Sequence, residues 1–269
     1  MKRYIGLGVV ACFGAVAAAG PVFEQGFETD TAGWFDNSNG WNGQVNRVAS
    51  GGGTLGLTSA SGGFHAEFSE AGDGTSGFTR FDGYRSVFGA GFTAENKVYL
   101  DTGLAGGAGF DYTVAANDQS GSHLQDFIFH VSKDISTGKL LVAGDNNSYG
   151  SPRQDIETAY SNYLEVTASG WYTMQHVFRD AGGVLEVDMN LIDAGGTVLF
   201  TETRRDNGNL IATVVGGNRY GWFPFISNMT VGVDDTTLTL AIIPLPSAAG
   251  LALVGLGLVG TRRTRSVIA

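Results

Sequence analysis

The sequence predicts an all-β chain folded as a two-sheet antiparallel jelly-roll sandwich, and three observations carry that expectation. Glycine supplies 42 of the 269 residues and proline only 5, with turn clusters about every ten residues, the spacing of many short strands. Between Gly20 and Ile243 no convincing segment repeats its apolar residues at helical spacing; Arg153–Tyr163 offers a helical turn or two. Within Trp171–Glu202, Leu185, Val187, Met189 and Leu191 alternate with Glu186, Asp188 and Asn190. The turns Ala181-Gly182-Gly183 and Asp193-Ala194-Gly195-Gly196 flank that strand, and period two across two short turns means an antiparallel meander with one buried and one wet face.

The other elements follow in chain order. Val22–Trp34 reads as an opening strand and turn. Asn37–Gly63, rich in Gly, Asn and Ser, reads as a long exposed excursion carrying Trp41. Phe64–Phe68, Ser86–Phe92, Asn96–Tyr99 and Phe110–Ala115 read as short strands, the last two separated by the turn Gly103–Gly109. Leu124–Val131 and Lys139–Ala143 form a hairpin through Ser136-Thr137-Gly138. Gly216-Gly217-Asn218-Arg219 reads as a polar turn before the aromatic run Tyr220–Phe225, and Met229–Leu240 is the last strand. Trp34 and Trp171 are assigned to the core, since aromatics fill sandwich interiors.

Three stretches carry a resemblance. Gly26-Phe27-Glu28…Gly33-Trp34 resembles the opening strand of carbohydrate-binding-module-like sandwiches, and Asp234-Asp235-Thr236-Thr237-Leu238 resembles their closing strand. Gly170-Trp171-Tyr172…Arg179-Asp180-Ala181-Gly182-Gly183 resembles concanavalin-like, laminin-G-type jelly rolls. The first two imply that Glu28 and Asp235 meet as ligands of a structural calcium, whose shell is built from oxygens. Two surface acids at strand ends is the other, commoner reading of the pair.

The ends read as addresses. Lys2 and Arg3, the apolar Tyr4–Ala18 and the site Ala17-Ala18-Ala19 form a signal peptide over 1–19; Val9-Val10-Ala11-Cys12 is a looser lipoprotein alternative. Pro244-Leu245-Pro246-Ser247, an uncharged apolar run to Gly260 and the cluster Arg262, Arg263, Arg265 resemble the PEP-CTERM sorting tail, with Leu245 where that family has Glu. Pro244, Pro246 and the three arginines match its motif. The resemblance implies processing by an exosortase-type membrane peptidase and transient anchoring by a C-terminal helix, with residues 244–269 as the sorting segment. As a helix Leu245–Gly260 would span roughly 24 Å against about 30 Å of hydrocarbon, with the arginines held on the cytoplasmic side. The expected layout is a signal helix, one β-sandwich over 20–243, and the tail, with the protein exported to the envelope or surface.

Processing at both ends removes Cys12, the only cysteine, and five of the sixteen basic side chains but none of the acids. The exported domain keeps 11 basic against 26 acidic groups, a net charge of −15. It has no disulfide or thiolate chemistry, and its surface repels nucleic acid and anionic lipid; by net charge it suits neutral glycans or divalent cations. There is no Gly-x-Ser-x-Gly, His-Glu-x-x-His or phosphate-cradling loop. Glu186-x-Asp188-x-Asn190 is similar to the Glu-x-Asp-x-Glu strand of concanavalin-like glycoside hydrolases. It has an amide where the resemblance requires the second carboxylic acid, and retaining hydrolysis needs two carboxyl groups, so no residue is assigned a catalytic role. The four histidines stand isolated in sequence, and His130 and His176 are read as sheet positions. Asp73-Gly74 and Asp145-Asn146-Asn147 are read as turns.

Binding carries the remaining signal. Sugars stack their C–H faces on exposed rings, and Trp41, Tyr220 and Trp222 are the candidate platform. The sequence thus points to a non-catalytic exported module that binds extracellular polysaccharide or matrix. A structural surface protein without a small ligand and a divergent glycoside hydrolase are the alternatives.

Overall fold

The computed structural model describes residues 20–72, 75–146 and 154–241. The signal segment, the Pro244–Arg265 tail, Asp73-Gly74 and Asn147 lie outside them. Among the described residues no helix is long and apolar enough to cross a membrane.

Residues 91–100, 170–180 and 184–192 alternate as the sequence predicts, burying one face and wetting the other, whereas residues 109–117 are buried on both faces. One sheet runs, in spatial order, β13 (Val198–Leu210), β12 (Val184–Ile192), β11 (Gly170–Asp180), β6 (Gly91–Leu100), β15 (Thr230–Leu240), β4 (Phe64–Ser69) and β3 (Gln44–Ala49), with β1 (Phe23–Gln25) also paired to β15. The second runs β10 (Tyr163–Val166), β9 (Leu140–Asn146), β8 (His123–Lys133), β7 (Gly109–Asp118), β14 (Val215–Pro224), β5 (Thr75–Thr79) and β2 (Trp34–Phe35). Every pairing between these strands is antiparallel. The one helix among the described residues, α1 (Ile156–Ala159), lies within the segment read as a helical turn. This is the all-β, two-sheet antiparallel sandwich that composition and periodicity predict.

The core lies between the inner faces. Leu185, Val187, Met189 and Leu191 of β12 are all buried there. Trp34, Phe68, Phe110, Tyr112 and Phe223 form one aromatic cluster, with Phe223 at 4.8 Å from Tyr112 and 5.3 Å from Phe68. Phe92 and Phe178 stack at 4.1 Å with Phe127 edge-on at 5.2 Å. Each fully buried ring contributes roughly 1.5–3 kcal/mol. His176 also sits in this core, fully buried beside Tyr112 and Phe129. Burial holds its pKa down at about 3, so it is neutral and donates its Nε2–H to the Phe127 carbonyl at 3.2 Å.

Four local readings are corrected. Residues 86–90 are loop rather than strand: Val87 is 74% exposed, and Gly89 and Gly91 take left-handed φ of 65° and 110°. The Asn37–Gly63 excursion contains β3, an edge strand with only Val45 buried, so it lacks a visible apolar alternation. Gly216–Arg219 belongs to β14 rather than to a turn. A Cβ on Gly216 would meet the Asp118 carbonyl at 2.1 Å, so glycine is needed there for close approach of backbones. Trp171 is not in the core. It lies half-buried on the outer face of β11, at 5.6 Å from Tyr99 and with its indole N–H on the Thr58 carbonyl at 2.7 Å.

Candidate functional site

The register of β14 builds the site. Phe223 faces inward, so Trp222 and Tyr220 face outward. Trp222 pairs across to Phe78 of β5, and Phe78 pairs on to Phe35 of β2, so three aromatics from three strands line up across the outer face. Gly77, next to Phe78, faces the core, where a Cβ would come within 2.7 Å of both Phe68 and Val45. Its bare backbone lets β5 lie close enough to present Phe78 outward.

The loop after β2 folds Trp41 onto this row. Asn37 N–H donates to the Gly43 carbonyl and Trp41 N–H to the Asp36 carbonyl, both at 2.9 Å. The Trp41 indole N–H donates to the Ser76 carbonyl at 2.7 Å. Its ring then stacks on Phe78 at 4.6 Å and 29° and meets Trp222 edge-on at 6.3 Å. Tyr220 lies 5.3 Å from Phe78 and 6.3 Å from Trp222, and its hydroxyl donates to Asp126 at 3.0 Å. Beyond Tyr220, the His123 ring is nearly parallel to it at 6.0 Å. Arg80, Tyr84 and Arg219 complete the rim of an open cleft of about 280 Å³. Trp41, Tyr220 and Trp222 therefore line one cleft although about 180 residues separate the first from the other two. The Trp222 indole N–H is buried without an acceptor among the described residues.

The sequence reading missed Phe35, Phe78, Arg80 and Tyr84. Three aromatics and an arginine within Gly77–Tyr84 are the signal that could have found them.

Glu28 and Asp235 border a common hollow, but each carboxylate is already engaged. Glu28 accepts the backbone N–H groups of Gly63 and Phe64 at 3.0–3.1 Å. Asp235 pairs with Lys97 at 2.7 Å and accepts the Ser61 hydroxyl at 2.7 Å. Calcium takes six to eight oxygens, whereas among the described residues no group of three or more His, Cys, Asp or Glu gathers. With a lysine ammonium on one ligand and amides on the other, this donor set does not fit calcium. The acids instead pin the excursion: Asp234, fully buried in β15, accepts the N–H groups of Ala60 and Ser61 at 3.0 and 3.2 Å. Burial, and then the neighbouring Asp235 charge, push the Asp234 carboxyl up to about 6.

On β12, Glu186 and Asp188 share Arg179: Nη2 lies 2.6 Å from Glu186 and 3.0 Å from Asp188, and Nη1 also bonds Asp188. Asn190 donates to Gln175 at 2.8 Å and accepts from Thr201 at 2.7 Å. The three residues form the polar outer face of a strand, tied to its neighbours. Two histidines are not isolated in space. His123 lies 3.2 Å from Asp126. His130 Nδ1 lies 2.7 Å from Asp111, with both residues buried and the Tyr160 ring stacked over the imidazole. Asp145 and Asn146 end β9 rather than forming a turn.

No family model matches the sequence, and no curated protein matches it. Several solved structures are similar in fold. The CBM2 module of the evolved Dit of Lactobacillus casei BL23 phage J-1 is 12% identical, with a TM-score of 0.45, covering 84% of this chain and 97% of that one. The Lotus tetragonolobus seed lectin is 9% identical, with a TM-score of 0.42, covering 83% and 99%. The exoplasmic/lumenal domain of VIP36, in its Ca²⁺/Man3GlcNAc-bound form, is 12% identical, with a TM-score of 0.41, covering 81% and 87%. At these identities and scores the likeness is one of β-sandwich architecture.

Proposed function

We propose that residues 20–243 are an exported, non-catalytic domain that binds extracellular polysaccharide in the cleft of Trp41, Tyr220 and Trp222, with the two ends of the chain as its address for export and envelope sorting. The observation that carries the reading is the open aromatic cleft itself. Three strands and a loop bring the rings of Phe35, Trp41, Phe78, Tyr220 and Trp222 together on the outer face, where a core would not need them. Contiguous exposed apolar surface costs solubility and marks interaction sites. Flat rings edged by arginine, tyrosine and carbonyl groups match a pyranose, which has apolar C–H faces and a girdle of hydroxyls. Nothing comparable supports hydrolysis, because the carboxylates of β12 are occupied by Arg179.

The test is retention of the protein on a panel of insoluble and gel-immobilised polysaccharides, with reducing-sugar release followed in parallel. Retention on at least one polymer, lost in Trp222→Ala and Trp41→Ala with the fold intact, is the expected result. Retention on none would leave a structural surface protein. Sugar release would overturn the non-catalytic assignment.

A further inference from the structure

Resting on the polysaccharide reading, we infer that the cleft selects acidic saccharides, seating an oxyanion substituent of the sugar against Arg80 with Arg219 beside it. The charge of the cleft is opposite to that of the domain. The exported chain has 26 acidic and 11 basic side chains, yet the cleft is lined by two arginines and no acid.

The state of Arg80 is the more telling observation. Among the described arginines, Arg47 donates to backbone carbonyls of Phe27 and Glu28, and Arg85, Arg179, Arg204 and Arg205 pair with carboxylates. Arg219 donates to the Gly121 carbonyl at 2.5 Å. Arg80 alone has no oxygen partner among the described residues. Its guanidinium lies over Tyr84 at 4.9 Å, Phe35 at 5.3 Å and Phe78 at 5.9 Å. Stacking fixes the plane of the group while leaving its in-plane N–H donors unused, and those donors match carboxylate and sulfate oxygens two at a time.

Arg219 adds a second charge at the same place. Its guanidinium is also 4.9 Å from the Tyr84 ring, so two like charges share one aromatic. They repel, and Asp118, whose carboxylate is held down in small part by Arg219, lies outside the cleft lining. An oxyanion seated against Arg80 would take its unused donors and offset the positive charge that Arg219 adds to the cleft. The aromatic rings would stack the sugar, and the arginines would choose which sugar.

The experiment measures binding of the full chain to soluble acidic oligosaccharides (uronate and sulfated) and, for each, to its neutral counterpart made by carboxyl reduction or desulfation. Measurement at 0.15 M salt, where the Debye length is about 8 Å, screens the remote acids of the domain. The acidic form should bind about tenfold more tightly, as expected for hydrogen bonds to a charged group. Arg80→Gln should erase that preference, bringing the acidic form and its neutral counterpart to equal affinity, and 1 M salt should weaken the acidic form more than the neutral one. Comparing the uronate with the sulfate arm tells which oxyanion is preferred; preference for either supports the inference. Equal binding of acidic and neutral forms, or a preference that survives Arg80→Gln, overturns it and leaves the polysaccharide reading standing. Binding of neither form overturns both.

Discussion

Adjacent residues of β14 should behave as opposites, and this follows directly from the register that builds the cleft. Phe223 is fully buried among Trp34, Phe68, Phe110 and Tyr112, at ring distances of 4.8–6.1 Å. Phe223→Ala removes its transfer free energy and opens a cavity between rigid rings that cannot collapse into it, a total cost of about 3–5 kcal/mol. For a domain of this size each kcal/mol lowers Tm by about 2–4 °C, so melting should fall by about 6–20 °C. Trp222 is half-buried and meets Trp41 and Tyr220 edge-on, each at 6.3 Å. Two such pairs contribute about 0.5–1.5 kcal/mol apiece, partly offset in Trp222→Ala by losing an indole N–H buried without an acceptor. That variant should cost about 1–2 kcal/mol, or roughly 2–8 °C. Polysaccharide retention should show the reverse order, kept by Phe223→Ala below its melting temperature and lost by Trp222→Ala. The assay is thermal denaturation by circular dichroism, paired with the retention measurement on the same preparations. A slip of one residue exchanges the two faces of a strand. If Trp222→Ala proved the more destabilising, the register would be wrong and the cleft with it.

The pH dependence of stability offers a second check. His176 is held at about 3, below its ordinary 6.5, so its stabilisation is present above pH 6.5 and is lost as pH falls from there toward 3. Asp234 is raised from 3.8 to about 6, so its contribution is complete below 3.8 and is lost as pH rises through about 6. Between pH 7 and 4 His176 is worth about 3 kcal/mol and Asp234 about 2 kcal/mol, with opposite sign. Urea melts should therefore show a nearly flat wild type, a His176→Gln variant that gains stability on acidification, and an Asp234→Asn variant that loses it; parallel behaviour of the two variants would refute both assignments. Chelation is the third: because Glu28 and Asp235 are compensated within the chain, EDTA should move Tm by less than about 1 °C, and a drop of several degrees would show a metal that these donors do hold.

Fold class was legible because it rests on local pattern. The meander of β11 to β13 announces itself through Leu185, Val187, Met189 and Leu191, and those residues are the core. β5 and β10 were not legible, at five and four residues too short to establish a period. Gly216-Gly217 looked like a turn because glycine serves turns and close backbone approach alike, and only the packed neighbour distinguishes them. Trp171 was misassigned because a strand's period says that two faces differ, not which faces the core. Of the cleft, the outward pair Tyr220 and Trp222 could be read, since they alternate with Phe223. Arg80 and Tyr84 could not be joined to them, because β5 and β14 meet only through sheet pairing across about 140 residues of chain. The engagement of the two acids expected to hold calcium was hidden for a related reason. Sequence displays carboxylates, but not the Lys97 ammonium and the Gly63 and Phe64 amides that satisfy them.

The chain's four tryptophans allow the central claim to be tested within one spectrum. Trp41 and Trp222 line the cleft, Trp34 is in the core and Trp171 lies on the outer face of the other sheet. Indole N–H resonances, assigned by single substitution, would be followed by NMR while a retained oligosaccharide is titrated in. The account predicts saturable shifts of the Trp41 and Trp222 signals, with those of Trp34 and Trp171 essentially still. Saturable binding that moves Trp171, or that leaves Trp41 and Trp222 unmoved, would place the sugar elsewhere and contradict the account.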